Sequence, residues 1–101
     1  MQFKCVKKDY FIYIEKNEKV IDTLTQFCMD QGITNANISG IGAVKKSEIG
    51  AFDTIAKAYI RKPIPKVWEL VNFVGNVTLK DGAPFVHAHV VLSDHDMQTI
   101  G

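Results

Sequence analysis

The pattern of apolar residues changes once along this chain, at Gly32, and this change constrains the fold more than any other feature. Over residues 20–28, before this glycine, apolar side chains recur at the three- and four-residue spacing of one helix face. Asn17 can cap the N-terminus of such a helix, and Gly32 can adopt the left-handed conformation that ends it. The sequence therefore predicts one helix at about residues 17–31.

After Gly32 the sequence has the pattern of β-strands, as it also has just before the helix. The segments rich in β-branched and aromatic residues are 11–14, 37–44, 48–52, 56–60, 67–79 and 85–92. Gly75 predicts a bend in the longest segment, and Lys80-Asp81-Gly82 predicts a hairpin turn. Pro63 and Pro65 cannot donate to a sheet, so they predict a loop or a sheet edge. One helix followed by short-linked strands indicates the α+β class, with roughly six strands in a largely antiparallel sheet.

The length and the apolar pattern together predict self-association. A chain of 101 residues leaves room for one compact domain and not for two. Residues 67–74 carry large apolar groups on both faces of a strand, and one helix covers only part of one sheet face. A subunit interface is the simplest cover for the remaining apolar surface. We therefore expect an obligate homo-oligomer.

The charged and sulfur-containing residues exclude several classes of protein. The net charge is +1, and the basic residues are scattered in short pairs, which argues against a dedicated nucleic-acid surface. Two cysteines are too few for a disulfide framework. The sequence shows no signal peptide and no apolar stretch of about 20 residues. We expect a soluble, cytoplasmic protein without a membrane partner.

Two histidines on a predicted strand are the clearest candidate site. Residues two apart point to the same face, so His87 and His89 project side by side, opposite Val86 and Ala88. Neutral imidazole is a common ligand of zinc, which takes three or four ligands. The further candidate ligands are Glu69, Asp94, His95 and Asp96. A structural interpretation stays open, in which both histidines are hydrogen-bonded strand residues at a subunit contact.

Other chemistries find little support in the sequence. Gly40 and Gly42 form a Gly-x-Gly pair, but a strand continues where a dinucleotide-binding motif needs a helix N-terminus. No serine or cysteine lies in a recognisable nucleophile motif. No organic cofactor is therefore predicted, and a divalent metal such as zinc is the one cofactor that the residues suggest.

Several ordered blocks resemble one known family. They are residues 32–33, 38–44, 48–50, 69–77 and 80–94, the last of which contains the His-x-His strand. Together they resemble the PPC domain, the "plants and prokaryotes conserved" domain. The resemblance implies about seven strands on one main helix and assembly as a homotrimer. The combined prediction is an α+β fold in which a largely antiparallel sheet of about six to seven strands packs on one main helix. Similar folds include acetolactate decarboxylase, a zinc enzyme.

The resemblance also bears on the site. Some members of the family bind a metal through the two histidines that match His87 and His89, and through a third in a Gly-Gly-His-Leu segment. The chain stops at Gly101, where that segment would begin. We therefore expect a single PPC-like domain over residues 1–101 that lacks its C-terminal segment and closing strands.

Two functions follow from the sequence and the resemblance. The first is a homotrimeric binding and assembly module, with a DNA-binding or regulatory role that the family label implies; the chain lacks the Arg-Gly-Arg core of an AT-hook. The second is a metal-dependent enzyme or small-molecule-binding protein. In that case a metal on His87 and His89 polarises a carbonyl or activates water, with Glu69 or Asp94 as an acid/base partner.

Overall fold

The computed structural model describes residues 1–101 and contains one helix and six strands, mostly antiparallel, which confirms the α+β class. The elements are β1 (Gln2–Val6), β2 (Asp9–Tyr13), α1 (Val20–Gln31), β3 (Ala36–Asp53), β4 (Ala58–Lys80), β5 (Ala83–Ser93) and β6 (Thr99–Ile100). Strands β1 and β2 form a two-stranded sheet, and β3, β4, β5 and β6 form a four-stranded sheet in chain order. The six strands thus lie in two sheets and not in one.

The chain divides into two compact units. The first consists of residues 1–37 and 76–87, and the second of residues 38–75 and 88–101. The buried apolar residues of the first unit are Leu24, Phe27, Cys28, Val77 and Val86. Those of the second unit are Ile64, Leu70, Phe73 and Leu92. Each unit therefore has a small apolar core of its own.

An aromatic cluster fixes helix α1 against the first hairpin. Strands β1 and β2 pair antiparallel with Phe3 opposite Ile12. The Phe27 ring of α1 meets the Phe3 ring edge-on at 5.0 Å and the Tyr10 ring at 5.1 Å between centroids. Such pairs add to the burial of apolar area that holds the helix in place. Strand β1 was missing from the sequence prediction, and all five of its residues are exposed.

Helix α1 begins at Val20, three residues later than predicted. Asn17 lies outside the helix with φ of 75°, and no side chain caps the first turn. The Glu18 carboxylate instead accepts a hydrogen bond from the Glu15 backbone N–H at 2.7 Å and lies 2.6 Å from the Met1 ammonium group. These contacts hold residues 15–18 in a turn, because a carboxylate that satisfies a local N–H competes with helix formation.

The predicted helix end at Gly32 is confirmed. Gly32 has φ of 67°, and its N–H donates to the Met29 carbonyl at 3.3 Å. The next N–H, of Ile33, donates to the Cys28 carbonyl at 2.8 Å, which completes a Schellman motif. With 12 residues, α1 does not have the length and apolar character that crossing a membrane requires.

Strands β3 and β4 are longer than the sequence predicts. Segments 37–44 and 48–52 merge into β3, and segments 56–60 and 67–79 merge into β4. Of the two alternatives predicted for Pro63 and Pro65, a loop or a sheet edge, the loop is wrong, since β4 runs through both residues. A proline costs a sheet one hydrogen bond only where its nitrogen would have faced a partner, so a long strand can accommodate it.

The buried face of β4 changes partway along the strand. Ile64 and Leu70 are buried an even number of residues apart, but the next buried residue, Phe73, follows after three. An extra residue, as in a β-bulge, exchanges the two faces of a strand in this way. The irregularity lies at residues 71–72, just before the bend predicted at Gly75. The turn after β4 is as predicted, because Asp81 and Gly82 have φ of 53° and 79°, the signs of a type I′ hairpin.

Candidate functional site

The two candidate histidines lie on the exposed face of β5. Val86 and Leu92 are 7% and 1% exposed, whereas His87 and His89 are both exposed between them. The alternation predicted from the sequence is therefore present in the structure. Phe85 and Val91 lie on the same outward face as the histidines and are 40% and 37% exposed. This face combines two imidazoles with apolar side chains.

The hairpin between β4 and β5 determines what lies beside the first histidine. Because the loop holds only two residues, Lys80 is opposite Ala83, and stepping back along both strands brings Asn76 opposite His87. The Lys80 Nζ atom lies 4.8 Å from the centroid of the Phe85 ring, a cation–π contact at the edge of this face. The neighbours described on this face thus include an amide, an ammonium group and an aromatic ring.

The other candidate ligands have separate places in the chain. Glu69 is exposed on β4, and His95 and Asp96 are exposed in the turn that connects β5 to β6. Within the chain no group of three or more histidine, cysteine, aspartate or glutamate side chains is arranged to hold a metal ion. His87 and His89 are thus both exposed on β5, and neither belongs to a group of three such side chains.

Asp94 has a structural role in the turn after β5. Its Oδ1 atom accepts hydrogen bonds from the backbone N–H groups of Asp96 and Gln98, both at 2.9 Å. This is an Asx-type turn, which fixes the backbone so that β6 can return along β5, with Leu92 opposite Ile100. Strand β6 was not predicted, because two residues carry too little pattern to identify a strand.

The sequence predicts that segments 48–52 and 56–60 pair near Asp53 and Thr54, but it misses the surface feature to which this pair belongs. We call residues 45–66 the arm: they are the end of β3, the turn at residues 54–57 and the start of β4. The rings of Phe52 and Tyr59 meet at 5.3 Å, and the Arg61 guanidinium lies 2.9 Å from a Glu48 carboxylate oxygen. These contacts show that the two strands run antiparallel, as in a hairpin. Ile55, at the tip, is 94% exposed.

The arm concentrates the positive charge of the chain. It carries six of the twelve basic residues, Lys45, Lys46, Lys57, Arg61, Lys62 and Lys66, and only two of the eleven acidic ones, Glu48 and Asp53. Its net charge is therefore +4, while the rest of the chain is net negative, since the whole carries +1. The sequence shows these residues as separate pairs, and only the pairing of β3 with β4 brings them into one element.

The turn at the arm tip is held by an aspartate. Asp53 Oδ1 accepts hydrogen bonds from the backbone N–H groups of Ile55 at 2.8 Å and Ala56 at 3.0 Å. These donors, that of Ala56 foremost, lower the pKa of Asp53 below its usual value. The two hydrogen bonds tie the backbone of the turn to the Asp53 side chain.

The chain thus combines a mostly antiparallel sheet, one helix and a strand with a His-x-His motif. The sequence profile of the Plants and Prokaryotes Conserved domain matches residues 1–101, and the chain belongs to this family. The resemblance inferred from the sequence is thereby confirmed. A comparison with curated proteins found no match.

Three solved structures illustrate the similarity. A PPC protein from Pyrococcus horikoshii is 39% identical with a TM-score of 0.85, and the match covers 86% of this chain and 61% of that one. A "putative DNA-binding protein" from Bacteroides thetaiotaomicron is 25% identical with a TM-score of 0.93, over 98% of this chain and 69% of that one. A metal-containing protein from Archaeoglobus fulgidus is 33% identical with a TM-score of 0.78, over 85% and 62%. The chain thus spans about three fifths of the Pyrococcus protein.

Proposed function

We propose that this chain is a self-associating binding module that assembles as a homotrimer and contacts DNA. The observation that carries the proposal is the distribution of apolar side chains: eighteen large hydrophobic residues are exposed, against nine that are buried. Large apolar residues on a protein surface mark a site of protein association where they lie close together. Self-association would remove part of this apolar surface from water.

The outward side of β4 and β5 supports self-association. Val67, Val71 and Val74 of β4 are each about half exposed, and Phe85 and Val91 of β5 are exposed as well. Interfaces between permanent subunits are more apolar than the rest of a protein surface. The resemblance to the PPC domain implies a trimer, and a trimer interface would bury this side of the strands.

The assembly is tested by mass measurement in solution. Light scattering or sedimentation at micromolar concentration should give about three times the 11.3 kDa chain mass. Val74→Asp places a charge on the outward side of β4 and should lower the mass. Met97→Asp is the matched control, because Met97 is 81% exposed in the turn after β5, and it should leave the mass unchanged. A monomeric wild-type protein contradicts the proposal.

The proposal of DNA contact is supported by the name of the Bacteroides protein, which matches nearly the whole of this chain, and by the basic arm. Contacts to phosphates release counterions, so binding driven by them weakens steeply as salt rises. Fluorescence anisotropy with a labelled duplex should show binding at 50 mM salt that falls by at least tenfold at 200 mM. Absence of binding at 50 mM contradicts this part of the proposal.

A second candidate function is metal binding at His87 and His89. It is supported by the exposed side-by-side placement of the two imidazoles and by the metal-containing Archaeoglobus protein, which is 33% identical. The two histidines supply half of a tetrahedral donor set for a zinc-like ion. The remaining ligands come from a neighbouring subunit or from water. A bound ion would act as a Lewis acid, the chemistry on which the enzyme alternative depends.

Elemental analysis of the purified protein tests the metal site. The wild-type protein should contain a stoichiometric transition metal, and His87→Ala/His89→Ala should lose it. His95→Ala is the matched control, since it removes the third histidine of the chain, and we expect it to retain the metal. Equal metal content in the double variant and the wild type excludes this site.

A further inference from the structure

We infer that the arm is the surface through which this protein contacts the DNA backbone, and that it does so as a basic two-stranded ribbon. The inference rests on the proposed DNA-binding function and goes further, because it assigns the contact to one element. The arm belongs wholly to the second compact unit, so its geometry is defined within that unit.

The charge of the arm is the first observation. Its six basic side chains are all exposed, and its net charge of +4 contrasts with the net negative remainder of the chain. Arg61 is engaged by Glu48 at 2.9 Å and lies 5.9 Å from the centroid of the Tyr59 ring. The five lysines are therefore the groups that would meet phosphates. A polyanion is the partner whose charge complements this element.

The spacing of the lysines is the second observation. Lys57 lies at the tip, Lys62 lies midway, and Lys45, Lys46 and Lys66 lie at the base. Lys66 follows Lys57 by nine positions, which corresponds to about 30 Å along an extended strand. This is close to one helical turn of duplex DNA, about 34–36 Å. A two-stranded ribbon also fits the width of the major groove, about 12 Å.

The same spacing favours DNA over a lipid surface. A membrane contacted by the tip would engage Ile55 and Lys57 but would leave the lysines at the base far from the headgroups. Lys57, Lys62 and Lys66 are spaced along the length of the arm, so a linear polyanion that follows it can meet lysines from the tip to the base. The exposed tip residue Ile55, held by the turn at Asp53, is then positioned as an apolar contact to sugar or base edges at the end of the ribbon.

Two quadruple variants test the assignment. The arm variant replaces Lys45, Lys57, Lys62 and Lys66 by alanine. The matched control replaces Lys4, Lys7, Lys8 and Lys19, which are also exposed and also include one lysine with positive φ: Lys7 at 57°, against Lys57 at 52°. Both variants lose four positive charges, so a difference between them reports position and not net charge. Circular dichroism and the melting temperature confirm that both are folded.

The expected result is a specific loss of affinity in the arm variant. Its affinity for a labelled duplex at 50 mM salt should fall at least tenfold, while the control should stay within about threefold of the wild type. The slope of log K against log salt should flatten by about 0.9 for each phosphate that a lysine no longer neutralises, up to roughly 3.6 for four. The control should keep most of the wild-type slope.

The outcomes separate this inference from the function on which it rests. If the wild type binds and the two variants weaken equally, the arm assignment is overturned while DNA binding stands. If the wild type does not bind DNA at 50 mM salt, the proposed function fails, and the arm assignment with it. Binding of the wild type to phosphatidylserine vesicles in place of DNA, abolished in the arm variant, would reassign the arm to lipid and overturn the inference.

Discussion

Helix α1 and the arm both contain aromatic residues, but the ring in α1 is buried and the rings in the arm are exposed. Phe27 of α1 is 3% exposed and meets two rings in the first unit. Phe52 and Tyr59 of the arm pack on each other, with Arg61 over the Tyr59 ring, and stay 54% and 57% exposed. The first arrangement gains stability by removing apolar area from water. The second leaves that area available, which is a property of surfaces that bind a partner.

The same substitution at the two phenylalanines is expected to give the largest contrast. Phe27→Ala removes a buried ring and should lower the free energy of unfolding by about 3–5 kcal/mol. Phe52→Ala removes an exposed ring and should change it by less than about 0.5 kcal/mol at low protein concentration. Urea denaturation followed by circular dichroism measures both.

Protein concentration sharpens this first prediction. Because the arm is assigned to DNA and not to the subunit interface, the cost of Phe52→Ala should stay small as the protein concentration rises. A loss of stability for Phe52→Ala equal to that for Phe27→Ala at every concentration would show that the arm belongs to the core, contrary to the comparison.

Two glycines should respond to alanine with opposite signs. Gly32 ends α1 with φ of 67°, where a side chain is strained, so Gly32→Ala should destabilise the protein by about 1–2 kcal/mol. Gly40 has an ordinary strand conformation and no atom within 4 Å of an added Cβ, so Gly40→Ala should stabilise it by about 0.4–1 kcal/mol. Thermal melts of both variants measure the signs. Equal shifts would mean that the left-handed conformation of Gly32 is not what costs energy.

Trypsin should distinguish the arm from the first hairpin when DNA is added. Lys57 and Lys7 both lie at exposed hairpin turns with positive φ, so the free protein should be cleaved at both. Saturating duplex DNA should slow cleavage at Lys57 by about fivefold and leave Lys7 unchanged. Mass spectrometry of the fragments provides the measurement. Equal protection of the two turns would contradict a contact confined to the arm.

Local features of the fold were predictable because they depend on neighbouring residues. Gly32 ends the helix, Asp81-Gly82 makes the hairpin turn, and the alternation in β5 puts both histidines outward. Each follows from a rule that spans a few residues. The same holds for the PPC resemblance, which rests on short ordered blocks.

Features that depend on distant residues were not predictable. The strand propensity of β1 is realised because it pairs with β2 and lies under Phe27. Asn17 does not cap α1, and the neighbouring Glu18 instead contacts Met1 and Glu15, which lie outside the helix. The charge of the arm is visible only once β3 and β4 are paired. Periodicity assigns elements, but tertiary contacts decide where they end and what they bring together.

The smallest expected effects are on the pH dependence of stability, which should differ between the arm and the start of the chain. In the arm, hydrogen bonds from Ala56 and Ile55 lower the pKa of Asp53. A carboxylate whose pKa is lowered on folding stabilises the protein at pH values above its unfolded-state pKa. This contribution to stability is lost as the pH falls through the folded-state pKa. The arm therefore contributes a dependence on the acid side only.

At the start of the chain, stability should depend on pH in both the acid and the alkaline range. Hydrogen bonds to Met1 lower the pKa values of Glu15 and Glu18, while Glu18 and then Glu15 raise the pKa of the Met1 amino group above 8.0. The acid-side contribution is lost as pH falls through the lowered carboxyl pKa values. The alkaline-side contribution is present below pH 8.0 and is lost as pH rises through the raised amino pKa.

Melting temperatures between pH 2 and pH 10 test this last contrast with two variants. Asp53→Asn should flatten the curve on the acid side alone, whereas Glu15→Gln/Glu18→Gln should flatten it on both sides. Both effects should be small and should shrink as salt rises, because all these groups are at the surface, where ions screen them. A change on the alkaline side in Asp53→Asn would contradict the assignment, since Asp53 contacts only backbone N–H groups that do not titrate.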